Sequence, residues 1–184
     1  MMLAAVILMM SVAAKAQNAV GQISFAPTIG FNYASVTDDG AKSMMTFAVG
    51  ANFEYGVSDN FGMTAGLIYS MQGAKVKGSD IKMKLNYLNV PVLANYYISK
   101  GFALKAGIQP GLLLAAKVET DGYSVDVKDE CTGVDFSIPV GLSYEINNVV
   151  IDARYNIGLN GWGDFDDSGK NSVFMFTVGY KFNL

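Results

Sequence analysis

From residue 23 onward the chain alternates apolar and polar positions with a period of two, the side-chain period of a β-strand. Eight segments carry the pattern: residues 23–36, 44–57, 61–73, 85–98, 102–117, 134–146, 149–160 and 173–184. In the fifth, Phe102, Leu104, Ala106, Ile108, Pro110, Leu112 and Leu114 share one face, and Ala103, Lys105, Gly107, Gln109 and Gly111 share the other. In the eighth, Phe174, Phe176, Val178, Tyr180, Phe182 and Leu184 oppose Met175, Thr177, Gly179, Lys181 and Asn183. The seventh contains VVIDARYNIGL, in which Asp152 and Arg154 interrupt an apolar run. Period two resolves the oddity: Val149, Ile151, Ala153, Tyr155, Ile157 and Leu159 lie on one side, and Asp152, Arg154, Asn156 and Gly158 on the other.

The links between segments alternate in length. Ser58-Asp59-Asn60, Ser99-Lys100-Gly101 and Asn147-Asn148 are tight-turn sequences. The remaining links, about residues 37–43, 74–84, 118–133 and 161–172, are longer. Short turns at one end, long loops at the other and an even strand number predict an all-β fold: an eight-stranded antiparallel up-and-down transmembrane β-barrel. A soluble lipocalin-like barrel also alternates, but holds its apolar face inside.

Three features favour the membrane orientation. The polar face holds Glu54, Gln72, Asn89, Asn95, Lys105, Glu145, Asp152, Arg154 and Lys181 amid glycine and serine, with too little lysine and glutamate for a soluble exterior. Aromatic residues gather beside the short turns: Phe53, Tyr55, Phe61, Tyr96, Phe102, Tyr144, Tyr180 and Phe182. Such a girdle seats amphipathic rings at the headgroup level. The segments also exceed the ~9–11 residues that a tilted membrane strand needs. In lipid the sheet must close on itself to pair its backbone.

Composition agrees. Hydrophobic residues make up 51% and charged ones 16%, against about 25% charged in soluble domains. No stretch after the N-terminus has the ~18 consecutive apolar residues of a spanning helix. The net charge of −3 argues against a nucleic-acid partner. Residues 1–16, MMLAAVILMMSVAAKA, read as a signal peptide with cleavage after Ala14-Lys15-Ala16, leaving 17–184 as one barrel domain. The competing reading of that stretch is a buried N-terminal helix.

The stretch KLNYLNVPVLANYYIS resembles the "YLxIP" strand of small outer-membrane barrels of Bacteroidetes-type bacteria, the PorT-like or "porin family" proteins. Ala153-Arg154-Tyr155-Asn156-x-Gly158 is similar to their penultimate strand, and Tyr180-x-Phe182-x-Leu184 to the C-terminal signal read by the barrel-insertion machinery, here ending on leucine. The resemblance covers the mature chain. It implies the barrel fold and a place in the bacterial outer membrane; the chain is read as a monomer with both termini in the periplasm and four loops outward, with lipid and the insertion machinery as partners.

An eight-stranded barrel is just wide enough for its inward side chains to fill. Glu54, Lys105, Glu145, Asp152, Arg154 and Lys181 are therefore expected to pair in a polar plug, since unpaired charges there would be costly. The alternative is a narrow path for ions or a small solute. With no histidine among 184 residues, the usual general base is missing. The chain reads as a non-enzyme without cofactors: an envelope scaffold, or a protein whose loops bind a partner the sequence does not name. Loop 118–133 is acidic and carries Cys131, read as a free surface thiol. In loop 161–172, Asp164, Asp166 and Ser168 followed by glycine resemble the start of a calcium loop, though its closing glutamate is missing. Trp162 beside them reads as an outer-rim aromatic.

Overall fold

Alternating segments become strands that close into a ring in the computed structural model, which describes residues 19–36, 41–120, 123–161 and 169–184. The strands are β1 (Ile23–Val36), β2 (Ala41–Ser58), β3 (Phe61–Val76), β4 (Lys82–Asn89), β5 (Val92–Ser99), β6 (Phe102–Thr120), β7 (Tyr123–Asp126), β8 (Val134–Ile146), β9 (Val149–Gly161), β10 (Lys170–Tyr180) and β11 (Phe182–Asn183). Pairing is antiparallel throughout: β1 with β2, β2 with β3, β3 with β4 and β5, these two with β6, β6 with β7 and β8, β8 with β9 and β9 with β10. The ring shuts where β10 returns to β1, with Phe31 opposite Phe176, and β11 continues the seam with Phe25 opposite Phe182.

The expected fourth strand is two pieces. Pro91 has no amide hydrogen for the ladder, so β4 ends at Asn89 and β5 starts at Val92. The wall stays closed because Val90 N donates to Pro110 O at 2.8 Å and Gly66 N donates to Pro91 O at 2.9 Å. β4 and β5 thus form one stave between β3 and β6, giving eight staves in all.

The hairpin chemistry works as the sequence implies. Gly101 and Asn147 adopt positive φ, +81° and +56°, at two of the short turns. The long-loop end differs from expectation. β2 starts at Ala41 and β3 runs to Val76, so both outlast their predicted segments. The link 118–133 is not a plain loop: β6 continues to Thr120 and β7 pairs back on it, with Lys117 opposite Asp126. The hydrogen-bonded hairpin projects beyond the barrel because nothing at the rim obliges β6 to stop.

Register shifts break strict alternation beside two short turns, at Gly56–Ser58 and Tyr97–Ser99, near Lys170–Ser172, and twice toward the long-loop end, in β2 between Ser43 and Ala48 and in β6 opposite Asn86 and Tyr87. A bulge inserts a residue and reverses which side the following side chains face. Glycine makes room at the narrowest inward positions. A Cβ on Gly141 would meet Ala153 O and, at 2.7 Å, Cγ of Arg154. Gly141→Ala should therefore cost about 1–3 kcal/mol by overpacking, seen as a lowered urea midpoint of the refolded barrel. No change would mean that Arg154 moves aside freely.

Candidate functional site

Between the two rims the outward positions are apolar. Ile29, Leu67, Leu104, Ile108, Leu142 and Val178 are all exposed. The inward positions are polar and buried: Gln72, Asn89, Asn95 and the six charged side chains are each at most 9% exposed. That arrangement is the reverse of a lipocalin-like carrier.

Parity in the strands brings the six charges together near the short-turn end, in two groups. In the first, Asp152 sits between two cations, with Arg154 Nε at 2.6 Å from Oδ1 and Lys105 Nζ at 3.0 Å from Oδ2. Arg154 and Asp152 point the same way because they are two residues apart on β9. In the second, Lys181 Nζ lies 2.5 Å from Glu145 and 3.6 Å from Glu54. Three carboxylates face three cations, so these two groups together are neutral; a fourth buried carboxylate, Asp135, lies apart from them. Full desolvation of these ions is tolerable only because each has an opposite charge in reach.

Neighbours supply further hydrogen bonds. Asn95 Nδ2 donates to Glu54 Oε2 at 3.0 Å and to Thr64 Oγ1 at 2.7 Å, and the Tyr97 hydroxyl donates to Glu54 Oε1 at 2.5 Å. Arg154 reaches upward to Met175 Sδ at 3.8 Å. Above it Ala48, Ile68 and Met175 pack together in the lumen. Higher still, Asn171 donates to Asp135 Oδ1 at 2.9 Å and to the Tyr87 hydroxyl at 3.3 Å. Leu85, Tyr87, Leu113, Ala116 and Cys131 then form an apolar cap, with Met83 and Val127 against it.

The space left among the charges is a cavity of about 30 Å³ lined by Glu54, Lys105, Asp152 and Lys181 among others. A single water needs roughly 10–15 Å³ on this measure, so the cavity admits one or two waters.

Several features escaped sequence reading. Tyr97, Tyr87, Asp135 and Asn171 belong to the interior network; each shares the parity of known inward residues, Asn95 and Asn89 for the tyrosines, and that is the signal that could have found them. Cys131 is not a surface thiol. It is 7% exposed, because the segment after β7 folds back and tucks it under the apolar cap. Asp164, Asp166, Ser168 and Trp162 lie outside the described residues.

The predicted girdle residues all face out around the short-turn end. Phe61 stands opposite Tyr96, and Phe102 opposite Tyr144. Phe53 packs on Phe25 at 5.0 Å between ring centroids, and Tyr180 on Phe182 at 4.9 Å. A second aromatic level stands nearer the loops, with Phe31 on Phe176 at 5.3 Å and Phe47 near Tyr69 at 5.9 Å. From Phe25 to Phe31, six residues on, a strand climbs about 20 Å, or roughly 15 Å along an axis tilted by ~40°. Two aromatic levels about that far apart, with an apolar wall between them and a paired polar lumen, match an integral membrane β-barrel.

The sequence comparison agrees. The model of the family described as "Outer membrane protein beta-barrel domain" matches residues 15–162, and the chain belongs to that family. Its place is the bacterial outer membrane. Among solved structures the chain is similar to Ail, the attachment invasion locus protein of Yersinia pestis, at 22% identity over 89% of this chain and 99% of that one, TM-score 0.56. It is similar to the same protein in complex with the heparin analogue sucrose octasulfate, at 20% identity over 89% and 100%, TM-score 0.54. It is also similar to Neisserial surface protein A, at 16% identity over 90% and 100%, TM-score 0.56. At these identities the likeness shows the fold alone. No curated protein sequence matches the chain.

Proposed function

We propose that the protein is a closed, monomeric envelope scaffold without catalytic activity, whose long connections carry whatever recognition it performs. The observation that carries this reading is the filled lumen. The cavity of about 30 Å³ among the ion pairs has room for one or two waters, which supports a plug rather than a path. The closed ring exposes no sheet edge along its wall for pairing with another copy. The projecting β6–β7 hairpin supports recognition at the loop end, since Tyr123 and Val125 are 77% and 58% exposed there.

The same reading places the short turns and both termini in the periplasm, after removal of residues 1–16 and delivery to the insertion machinery by the C-terminal aromatic strand. Its support is the contrast of turn lengths and the aromatic pair Tyr180 and Phe182. The resemblance to small Bacteroidetes-type outer-membrane barrels fits this placement and adds no ligand.

Planar-bilayer recording tests the scaffold reading. The purified barrel should give no discrete conductance steps. Steps that vanish in Arg154→Ala would instead establish a narrow channel running through the interior charges.

A further inference from the structure

We propose that the outward face of β2, β3, β4 and β6 at the long-loop rim binds the phosphate of anionic lipid headgroups. Strand register lines lysines up there. Lys42 stands opposite Lys75, Lys75 opposite Lys82, and Lys84 opposite Lys117. Like charges directly opposite on one face of a sheet destabilise it, with Cβ atoms only about 5 Å apart. Two carboxylates stand among them: Glu119, opposite Lys82, pairs with Lys84 Nζ at 2.7 Å, and Asp126 stands opposite Lys117, so five lysines face two acids. Among the described residues Lys42, Lys75, Lys82 and Lys117 make no ion pair. A row of closely spaced ammonium groups is a site for a multivalent anion.

The bulges in β2 and β6 serve this face. Met44 is buried and points inward, so strict alternation would turn Lys42 inward as well; the bulge after Ser43 puts it opposite outward Lys75. Lys105, Gln109 and Leu113 point inward on β6, and strict alternation would carry Lys117 and Glu119 inward too. The bulge at Leu114 reverses them, so that Lys117 and Glu119 face out beside Lys84 and Lys82. The patch is concentrated on one side: among the described residues, the long-loop ends of β1, β8, β9 and β10 carry one lysine, Lys170.

Position selects the occupant. On the same staves the outward residues below the lysines are Met45 and Phe47 on β2, Met71 and Tyr69 on β3, Asn86 and Leu88 on β4, and Leu114 and Leu112 on β6, leading into the apolar band. A ligand whose acyl chains lie along that band brings its phosphate to the height of the lysines. A soluble anion gains nothing from that continuity. The site does not depend on whether the lumen is closed.

The test uses the folded full-length mature barrel in phosphatidylcholine nanodiscs containing a minority of phosphatidylglycerol, with retained lipid counted by native mass spectrometry after detergent release. Variants are compared only where the boiled and unboiled gel mobilities differ, which reports a closed barrel. The triple variant Lys75→Gln, Lys82→Gln, Lys117→Gln should hold phosphatidylglycerol roughly a hundredfold more weakly, about fivefold for each lysine near an anionic surface. Single Lys82→Gln should show the fivefold step if the triple variant does not fold. Lys100→Gln with Lys128→Gln and Lys170→Gln should change nothing, and arginine at the three positions should restore retention. Equal retention by parent and triple variant overturns the site. Inorganic phosphate or sucrose octasulfate bound as tightly as phosphatidylglycerol makes it a free-anion site and overturns the lipid assignment. Failure of the protein to enter nanodiscs at all would contradict the membrane fold, a different result.

Discussion

Asp152→Ala is expected to destabilise the folded barrel by about 3–5 kcal/mol, the usual consequence of removing one partner from a buried ion pair. The effect is large because Asp152 serves two cations at once. Its carboxylate oxygens lie 2.6 Å from Arg154 and 3.0 Å from Lys105, and both cations are almost wholly buried. Removal leaves two positive charges in a lumen with room for one or two waters. Urea titration of the refolded barrel, followed by the fraction with unboiled gel mobility, measures the loss. The double variant Asp152→Ala with Lys105→Met should recover part of it, since it removes one orphaned charge. A loss below about 1 kcal/mol would mean that the lumen is wet enough to solvate both cations, as for exposed pairs.

Arg154 and Asp152 show how much of this was legible in the sequence. Period two along β9 puts them on one face, and the narrowness of an eight-stave ring forces charges on that face to pair. Which charge meets which was not legible, because it depends on register between strands far apart in sequence. Lys181 reaches Glu145 across 36 positions and Glu54 across 127, and nothing local encodes either contact. The bulges were invisible for the same reason. A single inserted residue leaves the composition of β6 unchanged yet moves Lys117 and Glu119 from the lumen to the outside. Cys131 was misjudged because its loop looks acidic and polar, while its burial comes from Leu85, Tyr87 and Leu113 on other staves. The aromatic girdle was legible because it follows from parity and distance to a turn, both of which are local.

Ile108→Arg is expected to cost about 2–4 kcal/mol if the outward face meets hydrocarbon. Ile108 lies midway along β6, opposite Val92, and is 62% exposed. Ile108 touches no interior charge, so the substitution disturbs neither ion-pair group. Its cost comes from the surroundings alone: a guanidinium in hydrocarbon has no water to solvate it, and at this depth the side chain is far from either headgroup level. Phe102→Arg provides the depth control. That position lies beside the Lys100-Gly101 turn within the aromatic girdle, where an arginine can reach water and should cost only about 0–1 kcal/mol. Refolding into phosphatidylcholine vesicles of increasing urea concentration reads both. A steep penalty at Ile108 with a slight one at Phe102 requires an apolar medium centred on the middle of the strand. Equal, small penalties would require water around the whole outer wall. Hydration there would leave the band of exposed leucine, isoleucine and phenylalanine without a solvent to justify it, and would remove the boundary on which the lysine row depends.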